Sequence, residues 1–457
     1  MKALEYARSS HDRYLAELED FVRIPSVSTQ ARHRKDIQAA AEWLRDRLID
    51  AGFGKAEVMA TSGHPVVYAE LAEAGPSAPM VLIYGHYDVQ PPDPLDLWET
   101  PPFEPTVIGD DLFARGASDD KGQLYTHVKA IEAWCETEGA PPVNIKCIFE
   151  GEEESGSPSL EPFIREHREL LSADVALISD TGFIAKGVPS IVYGLRGLAY
   201  LEVELTGPDH DLHSGTYGGA VLNPINALCN LIAQLQDENG RIVVPGFYDN
   251  VRSLSAEEKA ELAQVPFDRE DWIEEAGVPT DWGEPEYSIL ERTSTRPTLD
   301  VNGIWGGYIE AGAKTVLPSK AFAKISTRLV PDQDPERIAD LVAQHIRRLA
   351  PSAVQVQVRA LHGGEPAVVD RESPFMEAAL RAYQEGFGRP PFLVRRGGSI
   401  PVVAKFQSLL GVETILMGFG LPDDRLHSPN EKFHLPNFYR GIETSILFMS
   451  FLGERRP

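Results

Sequence analysis

The run Met80, Val81, Leu82, Ile83, Tyr84 constrains the fold of this chain most. Five adjacent apolar residues suit a strand covered on both faces, as in a parallel sheet packed between helices. The run stops at Gly85, and His86, Tyr87 and Asp88 follow. Open α/β sheets bind their ligands beyond the carboxyl ends of the strands. In an extended segment, residues two apart point the same way, so His86 and Asp88 can address one site. A neutral imidazole nitrogen ligates metals, and a nearby carboxylate can orient the ring. The same pair also suits a histidine that merely closes a strand, and the remaining loops decide between the two readings.

The surrounding sequence repeats this alternation. Residues 66–71, 143–149 and 175–178 read as strands, and residues 3–22, 35–51 and 121–135 as helices. Ile37, Ala41, Leu44 and Leu48 share one helical face. The fold class expected is α/β, a mostly parallel sheet covered by helices. Near Val192 the pattern changes: Leu201, Val203 and Leu205 alternate with Glu202, Glu204 and Thr206, as in a half-solvated strand. A helix at 222–235, strands at 301–309 and 321–329, a helix at 335–349 and a strand at 354–358 complete a β-α-β-β-α-β order. Residues 192–367 therefore read as an inserted α+β split-βαβ domain. It divides a catalytic domain into residues 1–191 and 368–457. The polar stretch 245–297 reads as an excursion with helical pieces.

Charge and cysteine content narrow the function. With 43 basic against 69 acidic residues the net charge is −26, which argues against nucleic-acid or anionic-membrane partners. Cys135, Cys147 and Cys229 are widely spaced and form no C-x-x-C pair, so neither a disulfide framework nor a thiolate zinc site is indicated. No run is long and apolar enough to span a bilayer, and residues 1–22 lack the apolar core of a signal peptide. A cytoplasmic location is the expectation.

Four loops after apolar runs carry acids or histidine: His86-Tyr87-Asp88, the stretch Ser118-Asp119-Asp120-Lys121-Gly122, the stretch Glu150-Gly151-Glu152-Glu153-Glu154-Ser155-Gly156, and Ser179-Asp180. A late histidine lies in His427-Ser428-Pro429-Asn430-Glu431-Lys432. Helix capping explains Ser118 or one aspartate of the second loop, but not both aspartates. The donors offered are His86, Asp119, Glu154, Asp180 and His427. Nitrogen and oxygen donors without thiolate suit zinc, manganese or cobalt. Five donors exceed one catalytic zinc, whereas two ions sharing one carboxylate would use them all.

The ordered set H-x-D, G-A-S-D-D-K-G, E-E-S-G, S-D and H-S-P-N-E-K resembles the dinuclear zinc peptidases, the superfamily of aminoacylases and glutamate carboxypeptidases. The stretches Asp211-Leu212-His213-Ser214-Gly215 and Gly397-Gly398-Ser399-Ile400-Pro401 are similar to the carnosinase and cytosolic non-specific dipeptidase branch. The likeness runs from about Phe21 to the end of the chain. It implies that His86 and Asp180 hold one metal ion, Glu154 and His427 the other, and that Asp119 bridges them. The ions implied are two divalent cations per subunit, zinc first, with manganese or cobalt as alternatives. It also implies that Glu153 is the general base acting on a water between the ions, and that Asp88 orients His86.

The inserted domain is implied to be a lid and dimerisation domain, and His213 to stabilise the oxyanion from the neighbouring subunit of a homodimer. Arg328 matches a position that binds the substrate carboxylate, Thr315 and Ser399 match further substrate contacts, and Arg395 and Gly398 are neighbours of that set. His210 reads as a turn residue. Asn302 stands where animal relatives carry a histidine. The activity implied is hydrolysis of dipeptides or short peptides with a free C-terminal carboxylate. The alternative is an N-acyl-amino-acid amidohydrolase of the aminoacylase or desuccinylase type.

Overall fold

The apolar run at 80–84 lies in the strand Met80–His86, buried from Val81 onward. In the computed structural model, which describes residues 1–454, this strand runs parallel to Asn144–Glu150 on one side and Val175–Ile178 on the other. Val175–Ile178 is in turn parallel to Glu413–Leu416. Both flanks are antiparallel. Val66–Leu71 pairs with Asn144–Glu150, Lys55–Met59 pairs with Val66–Leu71, and Ser190–Leu195 meets Glu413–Leu416 at Val192. The sheet is thus mixed, parallel only at its centre. Lys55–Met59 and Val66–Leu71 are joined by residues 60–65 alone, too short a link for the crossover that parallel pairing needs.

The helix Lys121–Glu138 follows the Asp119 loop and is buried over most of its length. It packs against Leu435–Gly453, which packs in turn against Pro374–Phe387. At its start Lys121 is buried, and its Nζ donates to the carbonyls of Phe21 (3.1 Å) and Ile24 (2.7 Å), just beyond the helix His11–Val22. The first helical stretch is broken in two, Lys2–Ser9 and His11–Val22, with Ser10 between them at φ −108° and ψ 7°. Serine competes with the helix backbone for hydrogen bonds, and the pair Ser9-Ser10 lowers helix propensity there. The helix Arg34–Asp50 buries Ile37, Ala41, Leu44 and Leu48 as its pattern predicts.

Contacts divide the chain into two units. The first comprises Met1–Tyr193, Val369–Val394 and the chain from Lys405 on; the second comprises Gly194–Val368 and Arg395–Ala404. The second unit is a four-stranded antiparallel sheet in the order Thr298–Gly306, Lys320–Leu329, Gly197–Thr206, Gln355–Gly364. Burial alternates residue by residue along Gly197–Thr206. Leu201, Val203 and Leu205 form a core with Leu228 and Leu231 of the helix Pro224–Ile232 and with Val342 and Ile346 of Pro335–Leu349. The order in sequence is the β-α-β-β-α-β predicted, with the 245–297 segment inserted after the first helix.

That segment folds into Ala256–Leu262, Arg269–Ala276 and Ile289–Ser294. The first and third begin with Ser-x-x-Glu capping boxes, Ser255 with Glu258 and Ser288 with Glu291. Arg395–Ala404, which the sequence pattern groups with 368–457, packs with the second unit. Three hydrogen bonds hold it there: Arg196 Nε to the Gly397 carbonyl (3.1 Å), Ser399 Oγ to the Arg196 carbonyl (2.5 Å), and Arg328 Nη1 to Ser399 Oγ (2.9 Å). Among the described residues, no helix is long and apolar enough to cross a membrane.

Candidate metal centre

In the first unit, the strand Met80–His86 delivers a fully buried imidazole. Gly85 before it is required by packing, since a Cβ there would come within 2.7 Å of Asp120 Oδ2 and 2.8 Å of Leu124 Cβ. His86 Nδ1 hydrogen-bonds the Asp88 backbone carbonyl at 3.1 Å. A carbonyl can only accept, so in the neutral ring the proton sits on Nδ1 and Nε2 keeps its lone pair. Nε2 lies 3.1 Å from Asp119 Oδ1 and 3.9 Å from Asp180 Oδ2, buried and without a hydrogen-bond partner. A lone pair facing two carboxylates calls for a cation between them. A divalent ion fits this orphaned nitrogen and its oxygen neighbours, and the donor chemistry is that of zinc, manganese or cobalt.

Asp119 also faces the other way. Its Oδ2 lies 3.0 Å from His427 Nε2, which lies 3.3 Å from Glu154 Oε2. Two ligand groups result, His86–Asp119–Asp180 and Asp119–Glu154–His427. Within each, one donor atom per residue falls inside 4.8 Å of the others, and Asp119 is common to both. Neither includes a cysteine. Burial opposes ionisation of Asp119, but the contacts from His427 and His86 outweigh it and hold the carboxyl below the usual range. Hydrogen bonds to Asp119 and Glu154 push His427 up to about 10. Burial and then the Asp119 charge push Asp180 up to about 7. The rises of His427 and Asp180 mark a site with more negative charge than its own histidines neutralise.

The loops that carry these donors are held by carboxylates that do not face the donor groups. Glu431 is fully buried and accepts from the backbone nitrogens of Gly116 (2.9 Å), Ser118 (3.0 Å) and Asp119 (3.0 Å), and from Arg115 Nη1 (2.7 Å). Asp424 accepts from Ser118 Oγ and from the Leu421 nitrogen, each at 2.7 Å. Glu152 accepts from the nitrogens of His64 (2.8 Å) and Ser159 (3.2 Å). Gln90 Nε2 donates to Glu154 Oε2 at 2.7 Å. Beside Asp180, the Ser179 hydroxyl bridges the Met417 carbonyl and His127, both at 2.5 Å. Sequence reasoning passed over Glu431 and Asp424. Glu431 sits inside the His427–Lys432 stretch, but an acid in a polar loop looks like solvent-facing charge.

Asp88 faces the His86 ring with both its backbone carbonyl and its carboxylate. The hydrogen bond to His86 comes from its backbone, while its carboxylate stands 3.5 Å from Nδ1. That carboxylate accepts from the backbone nitrogens of Glu153 (3.2 Å) and Glu154 (3.1 Å). Glu153 is pushed well up by burial, against the pull of the His86 charge and with the help of Asp180 and Glu154.

The substrate-contact candidates lie in the second unit. His213 is exposed, and its Nδ1 accepts from the Gly215 nitrogen at 3.0 Å. It pairs with Val316, and the Ser214 nitrogen donates to the Thr315 carbonyl at 3.1 Å, so His213 and Thr315 are neighbours. Arg328 and Ser399 are joined, as described above. Arg395 is committed to Glu258 at 2.5 Å. A Cβ on Gly398 would meet nothing within 4 Å. His210 pairs with the adjacent Asp209, exposed as a turn residue would be. Asn302 falls at the bulge between Val301 and Gly303.

Two histidine–carboxylate groups that share Asp119, beside a mixed sheet interrupted in sequence by a split-βαβ unit, define a metallohydrolase. Residues 82–450 match the model of peptidase family M20/M25/M40, and the chain belongs to that family. It is 34% identical to a Cys-Gly metallodipeptidase of Candida albicans, over 97% of this chain and 95% of the relative. It is 33% identical to the Beta-Ala-His dipeptidase of Homo sapiens, over 99% of this chain and 92% of the relative. Among solved structures, human carnosine dipeptidase 1 superimposes with a TM-score of 0.87 at 32% identity, covering 99% of this chain and 98% of that one. These relatives fall in the branch that the sequence motifs resemble.

Proposed function

We propose that the protein is a dipeptidase that works with two divalent ions, zinc by preference, and cleaves dipeptides or short peptides bearing a free C-terminal carboxylate. The observation that carries this reading is the sharing of Asp119 between two histidine–carboxylate groups. His86 and Asp180 would hold one ion, Glu154 and His427 the other, and Asp119 both. Two such ions lower the pKa of a water to ~7 and polarise the scissile carbonyl.

Glu153 takes the proton of the attacking water and returns it to the leaving amine nitrogen. Asp88 sets where Glu153 stands, by holding the amides at 153 and 154. Arg328 receives the substrate carboxylate, for which a planar fork suits better than a point charge. Thr315 and Ser399 flank it. His213 donates to the oxyanion from the neighbouring subunit of a homodimer. The exposed Val301, Ile304 and Trp305 on the edge strand Thr298–Gly306 support a partner at this unit. A cytoplasmic location accords with the three free cysteines.

Metal analysis joined to a substrate panel tests the reading. The expected result is two ions per chain and kcat/KM far higher for dipeptides than for N-acetyl or N-succinyl amino acids. A preference for the N-acyl compounds would make the protein an amidohydrolase of the aminoacylase type instead.

A further inference from the structure

The segment 245–297 has no part in the catalytic reading, yet it abuts the substrate-contact residues of its own unit. The turn at Gly397 lies against the helix Ile289–Ser294: a Cβ on Gly397 would come within 2.4 Å of the Thr293 carbonyl oxygen and 2.6 Å of Arg196 Nη2. Arg196 ties the two together. Its Nε donates to the Gly397 carbonyl (3.1 Å), and its Nη1 to the carbonyls of Arg296 (3.2 Å) and Arg292 (3.5 Å). Arg296 is itself fixed. Its guanidinium makes two 2.7 Å bonds to Glu284 and lies over the rings of Tyr287 and Tyr248, 4.2 and 5.1 Å from their centroids. A second brace joins Arg395 to Glu258 of the helix Ala256–Leu262.

The hydrogen bonds beyond Arg196 have one direction. Ser399 gives its single hydroxyl proton to the Arg196 carbonyl at 2.5 Å. Its lone pairs are left to accept, and Arg328 Nη1 donates to them at 2.9 Å. The route therefore runs from Arg328 through Ser399 to Arg196, and from there to the carbonyls of the 245–297 segment. Charge acts in the same place. Burial, then the positive charge of Arg328, pushes Arg196 down to about 10, with Asp300 as the opposing carboxylate.

We propose that Arg196 is a positioning residue for the substrate carboxylate, anchoring the Gly397–Ser399 turn to the 245–297 segment and so fixing the direction in which Arg328 presents its fork. This rests on the reading of Arg328 as the carboxylate ligand. Lysine cannot replace Arg196, because a single ammonium cannot span carbonyls that a rigid fork reaches together.

The test compares kcat/KM for a dipeptide with that for its C-terminal amide, on metal-loaded full-length protein. The acid-to-amide ratio is insensitive to the fraction of folded enzyme. Arg196→Lys is expected to lower the ratio about tenfold or more, through KM for the acid with kcat nearly kept. Ser399→Ala should lower it too, and the double variant should fall no further than the worse single one. A wild-type ratio in Arg196→Lys, beside a lost ratio in Arg328→Ala, overturns the proposal. Additive losses in the double variant also overturn it. A wild-type ratio in Arg328→Ala shows instead that the carboxylate reading itself is wrong. If Arg196→Lys does not fold, Ser399→Ala decides alone, since a wild-type ratio there breaks the route.

Discussion

Glu431 Oε1 accepts a hydrogen bond from the backbone nitrogen of Asp119 at 3.0 Å. The loop bearing His427 thereby fixes the residue common to both ligand groups. In Glu431→Gln one acceptor oxygen becomes an amino group facing the N–H donors of the 116–119 loop. Such supporting contacts to metal ligands change affinity by about 10–100-fold. Calorimetric titration of the metal-free variant should show both ions bound more weakly, because Asp119 serves both. Unchanged affinity would mean that the loop is held by other contacts.

Glu153→Gln should bind two ions with near-native affinity and lose most of its turnover, since glutamine keeps the volume and the amide contacts to Asp88 but cannot accept a proton. A loss of about 10²–10⁴ in kcat is the expected range for a general base. Near-wild-type hydrolysis by this variant would remove Glu153 from the mechanism.

His213→Ala should lower kcat by about 10²–10³, the usual cost of one oxyanion donor, with metal content unchanged. If the donor acts across subunits, mixing His213→Ala with Glu153→Gln chains should restore activity, because one site of each mixed dimer receives both functional residues. Mixtures no more active than their parents would place His213 outside the partner's site.

His127 gives the fold a defined acid sensitivity. It is buried between the hydroxyls of Ser179 and Ser445, near the Phe419 ring. Burial pushes its pKa from 6.5 down to about 3. The unfolded chain therefore binds this proton below pH 6.5 while the folded chain does not. Stability from this residue is complete above pH 6.5 and is lost as pH falls toward about 3, a change on the order of 5 kcal/mol over that window. Urea unfolding of metal-free protein at pH 7 and pH 4.5 should give a smaller difference for His127→Gln than for wild type. Equal differences would assign the acid sensitivity elsewhere.

His86, Asp119, Glu154, Asp180 and His427, which the fold gathers into two candidate ligand groups, were legible as a set because each follows an apolar run or lies in a short motif, and strand ends gather at one edge of an α/β sheet. The split-βαβ order was legible from the switch in periodicity near Val192. What holds the donors was not. Glu431 and Asp424 use the same letters as solvated surface charge, and only burial separates them. The pairing of Arg395 with Glu258 was not legible either, because the two are 137 residues apart. The antiparallel pairing of Lys55–Met59 with Val66–Leu71 follows from their short connection, which a strand's own composition does not report. Ser10, a single weak helix former, was enough to split a helix that periodicity alone would have continued.

The acceptor for His86 Nδ1 is main chain, so no substitution at position 88 other than a rearrangement of the strand end can remove it. Replacing Asp88 with asparagine or alanine would leave the imidazole tautomer where it is. It would free the amides of residues 153 and 154, and with them the turn that carries Glu153. Kinetic defects of Asp88 variants therefore combine a loosened turn with the loss of a carboxylate that stands 3.5 Å from the imidazole and raises its basicity.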